Sequence, residues 1–502
     1  MQTSVLVVGG GVVGLTAALF LAKHGVPCVL VERHPDLLIH PRARGLTPRT
    51  MEIYRQAGLE PAILGSAFAG PGFAYTPVQG QTLNDAEYTT PDEPHEDDGA
   101  SSSPCGFGPI DQDVLEILVR DRARELGAEL RFGVELVTHR QDLHGVLATV
   151  RNHATGVDET IEAEYLIAAD GVNSSIRAEL AIETDGPGVL FTTLTAIVEA
   201  DLRPALRGRI ASMAYLQQPR PFTILMAHDD AGLRWVFGTG YDAAAEDVTA
   251  YSDARIADMV RAAAGLPDVE VKLHPQIPGT DLTVLAFPIA ARLARRYQVG
   301  RVFLVGDAAH TWPPTGGLGA NCGIQDAHNL AWKLAAVLDG SAGEDLLRTY
   351  DAERRPVGRL TMQQALARFG SRMRSAEGPE LIEYGAVAMG YSYLDRPPVV
   401  PSELSGEPGT RAPHVFLGSS SVLDLFGDGF VLLAGRDGSP WESAARGLPI
   451  AVHVIDTLPA YGIGAGGASL VRPDGFVAWR TRELDPDPEN AVRRALDAAL
   501  AR

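Results

Sequence analysis

The sequence predicts an α/β protein of several units: a parallel-sheet unit, a mostly antiparallel sheet inserted into it, and a third unit at its C-terminal end. Three observations carry this. Short, uniformly apolar and β-branched runs lead into glycine-rich turns and helices near both ends of the first 390 residues, as strands buried on both faces of a parallel sheet do. Between residues 176 and 288 the pattern changes to alternation, the period of a strand with one buried face. Beyond a Pro- and Gly-rich loop at residues 397–413, new apolar runs resume. The length of 502 residues fits about three domains of roughly 100–200 residues each.

Taken in order, Val5 to Val8 is the first buried strand, and a helix follows from about Val12 to His24, closed by Gly25. Pro27 to Glu32 supplies a second strand and completes a right-handed βαβ unit. Thr47 to Ala57 reads as a helix; Asn84 to Pro104, poor in apolar residues, reads as a solvated loop. Leu115, Leu118, Val119 and Leu126 recur at helical spacing, which puts Gln112 in the first turn of a helix ended by Gly127. Strands dominate from Glu129 to Ala169. Arg301 to Val305 is again a short buried strand, and a helix is expected from about Gly323 to Asp339. Phe430 to Leu433, Ala451 to Ile455 and Ser469 to Arg472 are strands of the last unit. The expected domains are therefore 1–175 with 289–396, 176–288, and 397–502.

Composition narrows the function. Forty-three basic against 63 acidic side chains leave a net charge of −20, which repels phosphate backbones and anionic membranes; no nucleic acid and no membrane is expected as partner. The charge-free stretch from Ser4 to Ala22 holds three consecutive glycines and lacks a basic flank, so it reads neither as a signal peptide nor as a membrane span. Cys28, Cys105 and Cys322 are odd in number and far apart, which argues against disulfides and zinc and fits a cytoplasmic location. No metal site is expected.

Gly9-Gly10-Gly11-Val12-Val13-Gly14 has the GxGxxG spacing between a strand and a helix. In a Rossmann-like unit Gly9 permits the tight turn, Gly11 lets a pyrophosphate approach the backbone, and Gly14 lets helix and strand pack closely. Glu32 ends the second strand 18 residues beyond Gly14, where a carboxylate can take both hydroxyls of an adenosine ribose. Two further signatures lie at strand ends: Asp170-Gly171, leading to Arg177, and Gly306-Asp307, leading through Trp312, Pro313 and Pro314 to Gly316-Gly317-Leu318-Gly319-Ala320.

With these three motifs in order, the chain resembles the class A flavoprotein monooxygenases, the group of para-hydroxybenzoate and phenol hydroxylases, over most of residues 1–390. Pro41-Arg42-Ala43-Arg44-Gly45 is similar to the branch that hydroxylates aromatic polyketides. The resemblance implies FAD as cofactor, with NADPH or NADH as transient cosubstrate and O₂ as oxidant. It implies that Arg42 and Gln112 contact the FAD phosphate and ribityl region, that Asp307 accepts a ribityl hydroxyl, and that Asp170 and Arg177 serve both cofactors. Arg33 is a further candidate near the adenosine, and Leu136 a further cofactor-binding candidate. Arg42 equally fits a surface arginine and Asp307 a turn residue. Backbone N–H groups of Gly316 to Ala320, Gly317 and Gly319 among them, can meet the flavin edge on which charge collects upon reduction, and Pro314 ahead of them is a further cofactor-binding candidate. The segments Gly409 to His414 and Leu470 to Arg480 resemble the thioredoxin-like domain appended to such hydroxylases; with no cysteine beyond Cys322 it cannot run dithiol chemistry.

For the substrate, Met213 with Tyr215, Phe222 with Ile224 and Met226, and Trp235 with Phe237 can floor a wide apolar pocket suited to a flat polycyclic phenol; the same residue types fit a sheet core. His310 fits a structural or a catalytic role. The activity implied is hydroxylation of a polycyclic aromatic phenol through a flavin C4a-hydroperoxide, by a monomer or homodimer. Baeyer–Villiger oxygenation of a ketone, and flavin binding without turnover, are the rival readings; a plain NAD dehydrogenase is a further one.

Overall fold

The computed structural model describes residues 1–39, 43–66, 76–89, 102–228, 231–372, 379–456 and 458–502. Gln2–Val8, Cys28–Glu32 and Glu129–Phe132 pair in parallel, and Gln2–Val8 pairs on its other side with Asp158–Ala168, followed by Val302–Leu304. Antiparallel strands Gln298–Val299, Val134–Gln141 and Val146–Asn152 complete an eight-stranded sheet. The first helix, Val12–Lys23, lies against this sheet and against the helix Leu318–Leu338. Those two helices approach closely because Gly323 has no side chain: a Cβ there would stand 2.6 Å from Val13 Cγ2.

The second sheet has nine strands. Its long members, Thr184–Glu199 and Val284–Ala294, pair antiparallel, and the order continues through Arg234–Tyr241, Thr223–Ala227 and Met213–Leu216. Pro77–Gly80 and Glu87–Tyr88 close one edge, so residues ahead of 175 lend two strands to the inserted sheet. The expected solvated loop is thus corrected at both ends: Glu87–Tyr88 is paired, and Ser102 and Ser103 are buried. Its centre, 90–101, lies outside the described residues. Polar side chains mislead there because Ser103 spends its hydroxyl on the buried Glu52, 2.6 Å away.

One face of this sheet is covered by the helix Asp253–Ala264, which buries Ile256, Met259, Val260 and Ala263 against Leu194, Ala196 and Val198. The third unit is a four-stranded sheet, Ile450–Val454, Phe430–Ala434, Ala468–Val471 and Val477–Thr481, with the helices Ser439–Ala444 and Pro488–Ala499. It is joined to the first unit by buried ion clusters. Glu353 accepts from Lys333 at 2.7 Å and from Arg472 at 2.7 and 2.9 Å. Glu52 takes Arg49 at 3.0 Å and also Arg411. A buried carboxylate with so many donors stays ionised: burial opposes this, yet the cations hold both Glu353 and Glu52 below the ordinary glutamate range. Among the described residues no helix is long and apolar enough to cross a membrane.

Candidate functional site

The glycine loop is built as its motif requires. Gly9 has φ +112°, and a Cβ there would lie 2.2 Å from the Ala169 oxygen; at Gly14 it would lie 2.0 Å from the Gly9 oxygen. Gly11 differs. It is exposed at the N-terminus of the helix Val12–Lys23, with φ −76°, and among the described residues a Cβ would meet only Glu116 Oε1, at 3.8 Å. The fold itself places no demand for glycine there, so the bare backbone is a cradle for something outside the chain, and a helix N-terminus favours an anion. Glu32 accepts from Gly10 N at 2.6 Å and from His34 N at 2.9 Å. Burial pushes its carboxyl up, but the His34 and Gly10 donors win and hold it below the usual value. Arg33 is exposed, and Arg42 lies outside the described residues.

Gln112 and its helix reach back to the same loop. Gln112 exchanges bonds with Ala43, accepting from Ala43 N at 3.2 Å, and its amide donates to Glu116 at 2.7 Å; Glu116 in turn accepts from Val12 N at 2.9 Å. Leu136 packs half-buried on the parallel-sheet core beside an irregularity in the strand pair. Val13 packs under Gly306. Asp170 accepts from Ile176 N at 3.2 Å, while Arg177 donates to Ala308 O at 2.8 Å and Val172 O at 2.9 Å. These bonds tie the two aspartate signatures together. Asp307 is exposed in the short 3₁₀ turn Gly306–Ala308.

The helix expected from about Gly323 starts five residues earlier, at Leu318, which is a correction: Gly319 and Ala320 occupy its first turn. Gly316 and Gly317, at φ +87° and +65°, turn the chain into it, a conformation glycine adopts without strain. Among the described residues no side chain caps this 21-residue helix, so its first N–H groups are left without a cap bond from them. Pro314 is exposed at the turn's start. Asn321 holds the turn in place, donating to Gly317 O at 2.9 Å and Gly45 O at 3.2 Å and accepting from Thr47 N at 2.9 Å. His310 is buried, stacked on Trp312 at 4.6 Å and bonded to Asp326 at 2.7 Å. Burial works against its charge, but Cys322 and Asp326 outweigh it and push its pKa up to about 10.

The strand His310–Thr311 pairs with the edge of the second sheet, so the Gly316–Ala320 turn leaves directly from that sheet. Register sorts the expected substrate residues onto two faces. Met213 pairs with Met226 and Tyr215 with Ile224, which puts these four on the face away from the helix Asp253–Ala264. Val236, Gly238 and Thr195 continue it. Trp235 and Phe237 are corrected: both are wholly buried on the opposite face, in the core under that helix. Phe222 is corrected too. It precedes the strand Thr223–Ala227, has φ +65° and is 60% exposed. On the open face Phe191 is 38% exposed and stacks on Phe369 of the helix Asp345–Arg372, with centroids 5.6 Å apart.

Sequence reasoning missed a polar group at the rim of this face. His228 Nδ1 lies 2.5 Å from Asp111 Oδ2, its Nε2 3.8 Å from Asp113, and Arg44 donates to Asp111 at 2.8 Å and to Ser212 O at 3.0 Å. Asp111 and His228 are 117 positions apart; no local signal joins them.

Comparison with known proteins agrees with this architecture. Residues 2–365 match the FAD binding domain family and residues 405–502 the family described as aromatic-ring hydroxylase, C-terminal. Tetracenomycin A2 monooxygenase-dioxygenase of Streptomyces glaucescens is 39% identical, across 100% of this chain and 97% of that protein. Aklavinone 12-hydroxylase of Streptomyces purpurascens is 35% identical over 99% of each chain. The crystal structure of aklavinone-11 hydroxylase with FAD and aklavinone superposes with a TM-score of 0.90 at 34% identity, covering 100% of this chain and 99% of that one. The chain belongs to the FAD-binding class A flavoprotein monooxygenases, in the branch of the aromatic polyketide hydroxylases.

Proposed function

We propose that this monooxygenase hydroxylates a flat polycyclic phenol of the polyketide type, consuming NAD(P)H and O₂. The observation that carries the reading is the half-open apolar face of Met213, Tyr215, Ile224 and Phe191, which runs to an edge strand continuing as the uncapped Gly316–Ala320 turn. A wide, flat apolar face buries a polycyclic ring system better than a single ring. The relatives' names point the same way, since they act on tetracenomycin A2 and aklavinone.

Bound FAD supplies the redox chemistry, accepting hydride from NAD(P)H and delivering one oxygen atom of O₂ to the substrate. The chain's own residues hold and align. Gly11, Val12 and Val13 receive the pyrophosphate on a loop shaped by the turn at Gly9 and the close packing at Gly14; Glu32 takes the adenosine ribose, with Arg33 beside it and Leu136 a further cofactor contact. Arg42, Gln112 and Asp307 bind the phosphate and ribityl chain, and Asp170 with Arg177 serves the site shared with the nicotinamide cosubstrate. Gly317, Gly319 and Ala320 present backbone N–H groups to the flavin edge, with Pro314 packing at the start of the turn, while the apolar face excludes water around the ring. Residues 1–175 and 289–396 form the cofactor unit, 176–288 the substrate unit with two strands borrowed from 77–88, and 397–502 the appended unit. The enzyme acts in the cytoplasm as a monomer or homodimer.

The test is NADPH oxidation by purified yellow protein with and without a panel of tetracyclic phenols. Substrate-stimulated consumption with a product bearing a new ring hydroxyl, located by NMR, is expected. Hydrogen peroxide alone across the panel, or a lactone product, overturns the reading.

A further inference from the structure

The open face of the second sheet has a floor with little bulk at its centre. Alternation assigns that floor strand by strand. On Arg234–Tyr241 it takes Val236, Gly238 and Gly240, out of phase with the core residues Trp235 and Phe237; on Thr184–Glu199 it takes Thr193 and Thr195, out of phase with Leu194 and Ala196. Gly238 pairs with Thr195 and Gly240 with Thr193. Ile224 flanks Gly238 on one side, and Leu285 and Phe287 flank the two threonines on the other. The four central positions form a trough two strands wide. Its wall strands, Thr223–Ala227 and Val284–Ala294, stand three strand spacings apart, about 14 Å, which leaves room for fused rings lying across the strands.

Glycine inside a strand costs stability and marks a bulge, a tight bend or the close approach of a ligand. Arg234–Tyr241 pairs on both sides without a register shift, and neither glycine has a positive φ. At Gly238 the chain itself accounts for the choice, since a Cβ would stand 2.8 Å from Ile224 Cγ1. Gly240 is different. It is half-exposed, and among the described residues a Cβ there would meet nothing within 4 Å. The step from Gly238 to Gly240 runs along Val284–Ala294 toward Arg292 and Leu293, which pair with Thr311 and His310. The bare position therefore lies at the end of its strand nearer the Gly316–Ala320 turn. The hydroxyls beside it donate within the chain: Thr193 Oγ1 to Thr239 O at 3.2 Å, and Thr195 Oγ1 to Gln276 Oε1 at 3.3 Å. What the trough offers a ring face is carbon and peptide.

We propose that Gly240 determines the substrate class of this face: its bare backbone seats the face of one ring of a fused-ring phenol. This deepens the polycyclic-phenol reading above and rests on it. A side chain at 240 holds a rigid fused system off the floor and forfeits its contacts there, whereas a single ring can settle elsewhere on the face.

The test titrates FAD-loaded protein by calorimetry with alizarin, a dihydroxyanthraquinone of three fused rings, and with catechol, which carries the same vicinal hydroxyls on one ring. Gly240→Ala should raise the dissociation constant of alizarin about tenfold, and Gly240→Val about 10²-fold or more. The constant for catechol should change less than about threefold in both. Both apoproteins should melt no lower than wild type, because an extended backbone suits alanine and valine at least as well as glycine. Alizarin binding unchanged in Gly240→Val, an equal loss of alizarin and catechol, or a melting temperature lowered in both variants overturns the assignment. Failure of the wild-type protein to bind alizarin or any tetracyclic phenol overturns the substrate reading, and the role of Gly240 with it.

Discussion

Replacing Gly11 by alanine separates what the fold needs from what the cofactor needs. At φ −76° and ψ 177° the backbone accepts any L-residue, and among the described residues the new methyl would meet only Glu116 Oε1 at 3.8 Å. The apoprotein should therefore melt within about 2 °C of wild type, as surface changes within ±0.5 kcal/mol do. A pyrophosphate drawn to the N–H groups of this helix would collide with the methyl. Losing one or two hydrogen bonds to a charged group costs about 1.5–3 kcal/mol, or roughly 10- to 150-fold in FAD affinity. Gly14→Ala is the control, because its methyl would stand 2.0 Å from the Gly9 oxygen and must displace backbone, costing about 1–3 kcal/mol or more in the apoprotein. Flavin fluorescence during reconstitution reads the affinity and thermal melts of the apoproteins read the fold. An unchanged dissociation constant for Gly11→Ala would refute the cradle, as would an apoprotein melting as low as Gly14→Ala.

Three further outcomes are expected. Asp307→Ala, at an exposed turn, should leave the apoprotein stable but lower FAD retention about tenfold in gel filtration. Ile224→Ala should weaken binding of a polycyclic phenol with little loss of stability, whereas Phe237→Ala should cost about 3–5 kcal/mol in thermal or denaturant unfolding. For Glu353, whose folded value is depressed by Arg472 and Lys333 against its burial, the stabilisation is present above the unfolded glutamate value near 4.5 and is lost as pH falls below it. Wild type should thus lose melting temperature between about pH 5 and 3 more steeply than Glu353→Gln, which starts lower by about 3–5 kcal/mol at neutral pH.

The elements that were legible in the sequence are those fixed by local chemistry. Gly9 and Gly14 are required by contacts with the adjoining strand-end and loop backbone, and the helix Pro48–Gln56 starts at a Thr47 cap that the sequence displays. The proposed substrate face was legible only as alternation. Trp235 and Phe237 share a phase, but a period of two names two faces without saying which one a distant helix will cover; Asp253–Ala264 decides it. Phe222 looked like the first residue of its strand, and only its left-handed backbone takes it out. The start of the helix at Leu318 was hidden by Gly317, Gly319 and Gly323, which weaken the helical signal in sequence while Gly323 is what lets Val13 approach. The Asp111–His228 pair depends on tertiary contact alone.

The helix Leu318–Leu338 has a role larger than presenting its first turn. At 1.5 Å per residue its 21 residues form a rod about 30 Å long. One end carries the Gly317 turn. Near the other, Trp332 lies edge-on to Phe430 of the last sheet at 5.9 Å, and Lys333 enters the Glu353 cluster. The appended unit thus anchors the far end of a beam whose tip carries the turn proposed to meet the flavin. Clipping away residues beyond 404 would strip that anchorage and bare Trp332 and Leu346, so the damage would reach the proposed flavin-facing turn without a single residue of that turn being touched.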